Sequence, residues 1–518
     1  MTKKIQTPDL IITQVIKRQS SISLGEILSV VYLLLSGFLF VLIAHSSNQP
    51  GLIDSQAQVF MLGNFLFITI IHYMEKQNLL LFIISTNFLL FYILPIILVI
   101  TTGEYENKYQ SMVNNTIHQD ILSEAVLVIF YLNTVFMTAV IIGSKIIPLR
   151  RLDYSIYINK IPIFFKNINI SKLLVVCCFI LAWFIFTRYG YGFGSVPRYL
   201  SGGAVSGGLR IFMFLANGMY GVMWIALLHL MICKQEYEHR IWVRYIIAFS
   251  LIIAIDRITA GSTSAIIQLI FSLIIINFIA RGRAQVNVGV LVKWTPILLI
   301  LSILFYVLAI PFRYISVLKD LNFDISLIFN YFYNSSTFNL ADGLISRIVH
   351  RLNYFDPFVV VYSNLSVHTA EYFSFTEGIK AFLNFALPGT PFEKTLPYSR
   401  VFQVVFLGSS FELSKELYWT NLYGYGIYLA LTGTVVGAVI YLSLFGIFVS
   451  VVWSFLSLLK GLFRVILMFV FSVYFYLVQA GMGWDTDLNV LIVDNLYQMV
   501  VGILIVYLFC SKRTSQGR

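Results

Sequence analysis

Apolar runs of about twenty residues recur along the whole chain, and no other feature limits its fold as tightly. A helix needs about 20 mainly apolar residues to cross a bilayer. Runs of that kind fall near 27–45, 58–74, 79–101, 122–143, 173–187, 210–233, 244–256, 264–280, 294–312, 422–457, 465–482 and 488–510. The run at 244–256 is short, and 422–457 is long enough to contain a kink or an interfacial extension. Charged residues make up 11% of the 518 positions, against roughly 25% in soluble domains, which excludes an ordinary soluble enzyme. Intrinsic disorder needs low hydrophobicity and high charge, and 58% of this chain is hydrophobic. About 25 residues precede the first run and no A-x-A site follows it, so an uncleaved first helix is expected rather than a signal peptide. The expectation is an all-α polytopic membrane protein, one integral-membrane domain over residues 1–518, with about twelve spanning helices.

Orientation follows from the basic residues. With the N-terminus inside and the runs alternating, the inside segments hold 22 of the 35 Lys and Arg and six acids, a net +16. The remainder nets −5. This asymmetry is what the positive-inside rule describes, and it puts a 1–26 N-terminus and a 511–518 tail in the cytoplasm. The overall +11 therefore reports orientation and not a nucleic-acid partner. Cys177, Cys178, Cys233 and Cys510 all lie in apolar runs and give no disulfide framework.

Two outside stretches break the charge pattern. The first, 188–210, reads RYGYGFGSVPRYLSGGAVSGGLR and carries Arg188, Arg198 and Arg210 with no acid. Arginine offers a permanent charge and a planar fork of donors suited to phosphate oxygens, and the surrounding glycines let backbone approach a ligand. An interfacial loop whose arginines snorkel to lipid phosphates fits the same residues. The second, 313–420, exceeds a hundred residues and holds eight basic ones, beginning with Arg313; loops of that length tend to be functional. Within it, NLADGLISRIVHRLN at 339–353 has helical apolar spacing and places Arg347, His350 and Arg351 on one face. That face suits either an amphipathic helix lying on the bilayer or a diphosphate clamp with a titratable base nearby. Asp342 precedes this face by about a turn, and Asp356-Pro357 follows it. In the short turn 256–264, Asp256 and Arg257 sit at membrane depth or its edge, where a charge needs a partner.

Other chemistries lack their signatures. H-E-x-x-H, Walker and G-x-S-x-G motifs are absent from the sequence. The seven histidines show no metal-ligand spacing, and Asp485-Thr486-Asp487 is a lone D-x-D. No metal or cofactor is expected.

With these features in place, the chain resembles the O-antigen polymerase (Wzy-type) family of oligosaccharide repeat-unit polymerases. The likeness lies in architecture: many spanning helices, cytoplasmic termini and two arginine-bearing external loops, the later one long. ITAGSTSAIIQLIFSLIIINFIARGR at 258–283 resembles the family's G-S-R-G turn and following helix, with Thr263 where the arginine is common and Arg257 as its available substitute. SRIVHRLNYFDPF at 346–358, EGIKAFLNFALPGTPFEKTLP at 377–397 and NLYGYGIYLALTGTVVGAVI at 421–440 resemble long-loop and return-helix segments.

The resemblance implies a GT-C-like glycosyltransferase of the bacterial inner membrane, with a long helical extracytoplasmic loop. It would move a growing glycan from undecaprenyl diphosphate onto an incoming undecaprenyl-diphosphate-linked repeat unit. Arg188, Arg198, Arg210, Arg257, Arg313, Arg347 and Arg351 would bind diphosphate, and Asp342, His350 or Asp356 would take the acceptor's proton. The implied partners are the undecaprenyl-linked oligosaccharide, membrane lipids and a chain-length regulator protein. A ligase of the same superfamily and a lipid-linked oligosaccharide flippase or secondary transporter are the rival expectations.

Overall fold

The computed structural model describes residues 79–93, 95–96, 119–146, 163–191, 218–259, 353–365, 424–459, 464–471 and 496–511, with isolated positions between 273 and 405. These residues are all-helical, without a strand. The expected spans at 27–45 and 58–74 and the N-terminal segment 1–26 lie outside the described residues, as do nearly all of 264–280, 294–312 and the tail beyond Ser511.

The helices are α1 (Leu79–Phe88), α2 (Gln119–Ile146), α3 (Ile170–Tyr191), α4 (Tyr220–Ile232) and α5 (His239–Thr259). They continue with α6 (Phe355–Ser363), α7 (Tyr425–Thr432), α8 (Val435–Leu458) and α9 (Tyr497–Ile505). α1 runs on into a π-helical turn at Leu89–Ile93, and α9 into another at Val506–Cys510. The short run at 244–256 belongs to a 21-residue helix whose first turns are polar.

The long run 422–457 does contain a break. Gly433 ends α7 in the left-handed region at φ 66°, where a side chain would be strained. Thr434 then starts α8, its Oγ1 accepting from Gly437 N–H at 3.0 Å.

Helices α2 and α8 are long and apolar enough to cross a membrane, over Ile121–Ser144 and Val435–Leu456. They pack in parallel through small residues one turn apart on each helix. A Cβ on Gly143 would lie 2.8 Å from Ser450 Cβ, and one on Gly446 2.8 Å from Ala139 Cβ. Such small-xxx-small faces bring helix backbones close where no hydrophobic driving force separates lipid from protein. The buried side of this pair also holds Asn133, Ser450 and Ser454.

The opposite sides of the helices are apolar and uncovered. Val436, Ile440, Leu444 and Phe448 recur every four residues along α8, with Val436 70% exposed. Val175, Phe179 and Phe186, four and then seven residues apart, line one side of α3, and Val500, Leu504 and Leu508 recur every four residues along the last helix. Patches of this extent are rare on proteins that face water; an apolar exterior suits hydrocarbon.

A second group joins α3, α4, α5 and α9. α4 and α9 run parallel with backbone on backbone, since Gly221 meets the Gln498 carbonyl and Gly502 meets Gly221. At one end of this group, Asn169 caps α3 by accepting from Ser171 and Lys172 N–H at 3.1 Å each. Its own N–H reaches the Cys510 carbonyl at 2.8 Å. The tight α4–α5 connection closes the same end. The buried apolar residues of both groups form one continuous core.

Candidate functional site

The end of the second group just described is basic, with Lys166, Lys172, Lys234, Arg240 and Arg244 against Glu236 and Glu238. Its turn is built from aromatics. Tyr237 hydroxyl and His229 Nε2 are 2.8 Å apart, Trp242 donates to the Leu230 carbonyl at 2.7 Å, and Lys234 lies 4.4 Å over the Trp242 ring. Burial pushes the Tyr237 phenol up to about 12, helped by Cys233, Glu236 and Tyr245.

The far end of this group presents a different arrangement. Phe184 of α3 stacks on Tyr220 of α4 at 4.6 Å, and the Arg257 guanidinium of α5 sits 5.0 Å over the Tyr220 ring. The ring face attracts the cation without supplying a counter-charge, and Arg257 remains partly exposed. Asp256 beside it is fully buried, so these two adjacent residues face different surroundings. Arg188 falls one helical turn beyond Phe184 on α3. The stretch 192–217, which carries Arg198 and Arg210, leaves from α3 and returns to α4 at this corner; that stretch lies outside the described residues.

The first group carries its own corner, where part of the long loop docks. Helix α6 is capped by Asn353, whose Oδ1 accepts from Phe355 and Asp356 N–H at 3.0 and 3.1 Å; Pro357 in the first turn costs no helical bond. Tyr354 N–H donates to the Phe91 carbonyl at 3.1 Å, and the two rings stack at 4.2 Å. The neighbouring Tyr92 hydroxyl accepts from Tyr425 N–H at 2.7 Å. Gly424, at φ 65°, lets the chain pass over that hydroxyl, where a Cβ would collide with it. Tyr425 in turn donates to Asn133 Oδ1 of α2 at 2.7 Å. The π-helical turn thus grips two points of the chain seventy residues apart.

Asp356 occupies the first turn of α6, where the helix dipole favours a carboxylate, and it is only 2% exposed. One face further along, Tyr362 donates to Glu124 Oε2 of α2 at 3.1 Å. Burial, reinforced by the Glu124 carboxylate, raises the Tyr362 phenol to about 12. Glu124 itself is exposed.

Of the expected site residues, Arg257 and Asp356 are described with their side chains, in different helix groups: Arg257 against α4, Asp356 in the helix that packs on α2 and α7. Arg198, Arg210, Arg313, Arg347, Arg351, Asp342 and His350 lie outside the described residues. Glu124 and Tyr362 were not among the expected residues. The signal for Glu124 was present: it and Lys145 bracket an uncharged stretch of α2, roughly 32 Å long at 1.5 Å per residue. Among the described residues, no group of three His, Cys, Asp or Glu is placed to hold a metal ion.

No protein-family model, curated protein or solved structure matches the chain.

Proposed function

We propose that the chain is an integral-membrane glycosyltransferase that polymerises lipid-linked oligosaccharide repeat units. It transfers a growing glycan from undecaprenyl diphosphate to an incoming undecaprenyl-diphosphate-linked repeat unit, in a GT-C-like bundle of about twelve spanning helices. Both termini face the cytoplasm, and the reaction takes place at the periplasmic face of the bacterial inner membrane. The observation that carries this reading is the corner where Arg257 is held charged over Tyr220, at the point where the arginine- and glycine-rich stretch leaves α3 and returns to α4. Several fixed positive donors at one membrane surface are what a diphosphate leaving group requires as charge develops on it.

The uncovered apolar stripes match a lipid environment, and lipid tails can enter sideways between helices. Arg188, Arg198, Arg210, Arg313, Arg347 and Arg351 complete the set of diphosphate donors. Asp356 is enclosed, which suits holding α6 in place better than meeting a substrate. The α7–α8 break is the feature a transporter would use near midplane. However, α8 alone has 24 residues, about 36 Å at 1.5 Å per residue, so the break falls at the end of a full span.

The testing experiment is the glycan phenotype of a deletion strain. Single repeat units in place of long chains support a polymerase. Full-length polymer retained on undecaprenyl diphosphate would indicate a ligase, and intermediates trapped at the cytoplasmic face a flippase. In the same assay, Arg198→Ala and Arg347→Ala abolish polymer at unchanged protein abundance, and activity in purified membranes survives EDTA.

A further inference from the structure

A glycosyl transfer of this kind needs a group to take the acceptor hydroxyl's proton, and accessibility sorts the described carboxylates. Asp256 is fully buried and Asp356 nearly so. Glu236 and Glu238 belong to the basic end. Asp324 Oδ1 accepts from Ser326 N–H and Oγ–H and from Leu327 N–H, bonds made within its own turn. Glu124 is exposed, sits where the uncharged stretch of α2 begins, and touches the docked helix of the long loop through Tyr362.

We propose that Glu124 is the general base of the polymerisation, with Tyr362 as its positioning residue. This rests on the polymerase reading above. In the step, the acceptor sugar's hydroxyl oxygen forms a bond to the donor's anomeric carbon. The bond from that carbon to the diphosphate oxygen breaks, undecaprenyl diphosphate leaves with the electron pair, and the hydroxyl proton passes to the Glu124 carboxylate.

The geometry assigns each oxygen a task. Oε2 accepts from the Tyr362 hydroxyl, which fixes the carboxylate's rotation and leaves Oε1 to receive the substrate. The Tyr362 ring is stacked on buried Phe358 at 6.3 Å, so its hydroxyl is set by α6 and not by a mobile side chain. Its raised phenol stays protonated at working pH and therefore donates. Because α6 is gripped through Tyr354 by the π-helical turn, the contact that seats α6 also orients the base.

The test uses full-length protein in lipid bilayers with undecaprenyl-diphosphate-linked repeat units. Glu124→Gln keeps the bond from Tyr362, because the amide oxygen still accepts, but it removes the base. Its kcat should fall on the order of 10²–10⁴-fold with KM within about threefold, and added formate should restore turnover to Glu124→Ala. Tyr362→Phe should lower kcat about tenfold, again with little change in KM. A Glu124→Gln protein that polymerises at the wild-type rate overturns the assignment and leaves the polymerase reading standing. A loss that formate does not relieve marks a purely structural clasp and overturns it too. Wild-type protein that makes no polymer fails the underlying reading, and the assignment with it.

Discussion

The α4–α9 and α2–α8 crossings both depend on glycine, yet they tolerate different things. In α2–α8 the glycines face side-chain carbon and carbonyl of the partner, Gly143 against Ser450 and Ile447, Gly446 against Ala139 and Phe136. In α4–α9 the Gly221 and Gly502 backbones meet directly. The corners these groups carry differ in the same sense. The α3–α4–α5 corner holds a permanent cation by stacking on a tyrosine ring. The α1–α2–α6–α7 corner holds a carboxylate by a phenol, on a helix locked through backbone hydrogen bonds. One corner suits binding a fixed negative charge, and the other suits moving a proton.

The largest expected effect breaks the first half of that comparison. Gly221→Ala drives a Cβ into the Gln498 carbonyl, which cannot rotate away, and should cost more than about 3 kcal/mol, seen as loss of folded protein in detergent. Gly143→Ala has more ways to relax and should cost about 1–2 kcal/mol in the same thermal-unfolding measurement. Equal losses would erase the distinction between the crossings.

Next comes the cation. Arg257→Ala should raise KM for the lipid-linked substrate by roughly 10- to 100-fold, the scale of a lost charged hydrogen bond. Arg257→Lys should recover only part, because lysine keeps the charge without the fork. A kcat effect with KM unchanged would move Arg257 out of the binding set.

Tyr92→Phe tests the second corner. It removes the hydroxyl that accepts from the buried Tyr425 N–H, at a cost of about 1–3 kcal/mol, and it should loosen the start of α7 in hydrogen exchange while sparing α3–α5.

The smallest effect concerns pH. The Tyr237 phenol is raised from 10.0 to about 12 in the folded protein. The native state therefore holds its proton more tightly than the unfolded chain does. Its contribution is complete below pH 10 and is lost as pH rises through 12. Tyr237→Phe should remove that alkaline component from an absorbance titration at 295 nm and leave stability at neutral pH close to wild type.

Legibility in the sequence followed the range of the interactions. α2 and α8 were visible because an uncharged apolar stretch depends only on its own residues, and the Gly433 break was foreshadowed by a run too long for one span. Arg257 stood out as a charge at a helix end. Its partner Tyr220 did not, because a cation–π contact leaves no spacing rule. The grip of Tyr92 on Tyr425 spans 333 positions, and no local pattern announces it. Glu124 was absorbed into the run at 122–143, since one charge near the end of an apolar stretch reads as ordinary helix boundary until Tyr362 is seen beside it. Asp356 illustrates the converse: the sequence offered it as a candidate proton acceptor after the basic helix, while its burial depends on how α6 packs, which the segment alone does not encode.

The most direct test of the central claim is product analysis with purified protein in bilayers and defined undecaprenyl-diphosphate-linked repeat units as the only sugar source. The polymerase account predicts a ladder of lengthening glycans with one undecaprenyl diphosphate released per bond formed. Repeat units that stay single while the protein remains folded and membrane-embedded would contradict it.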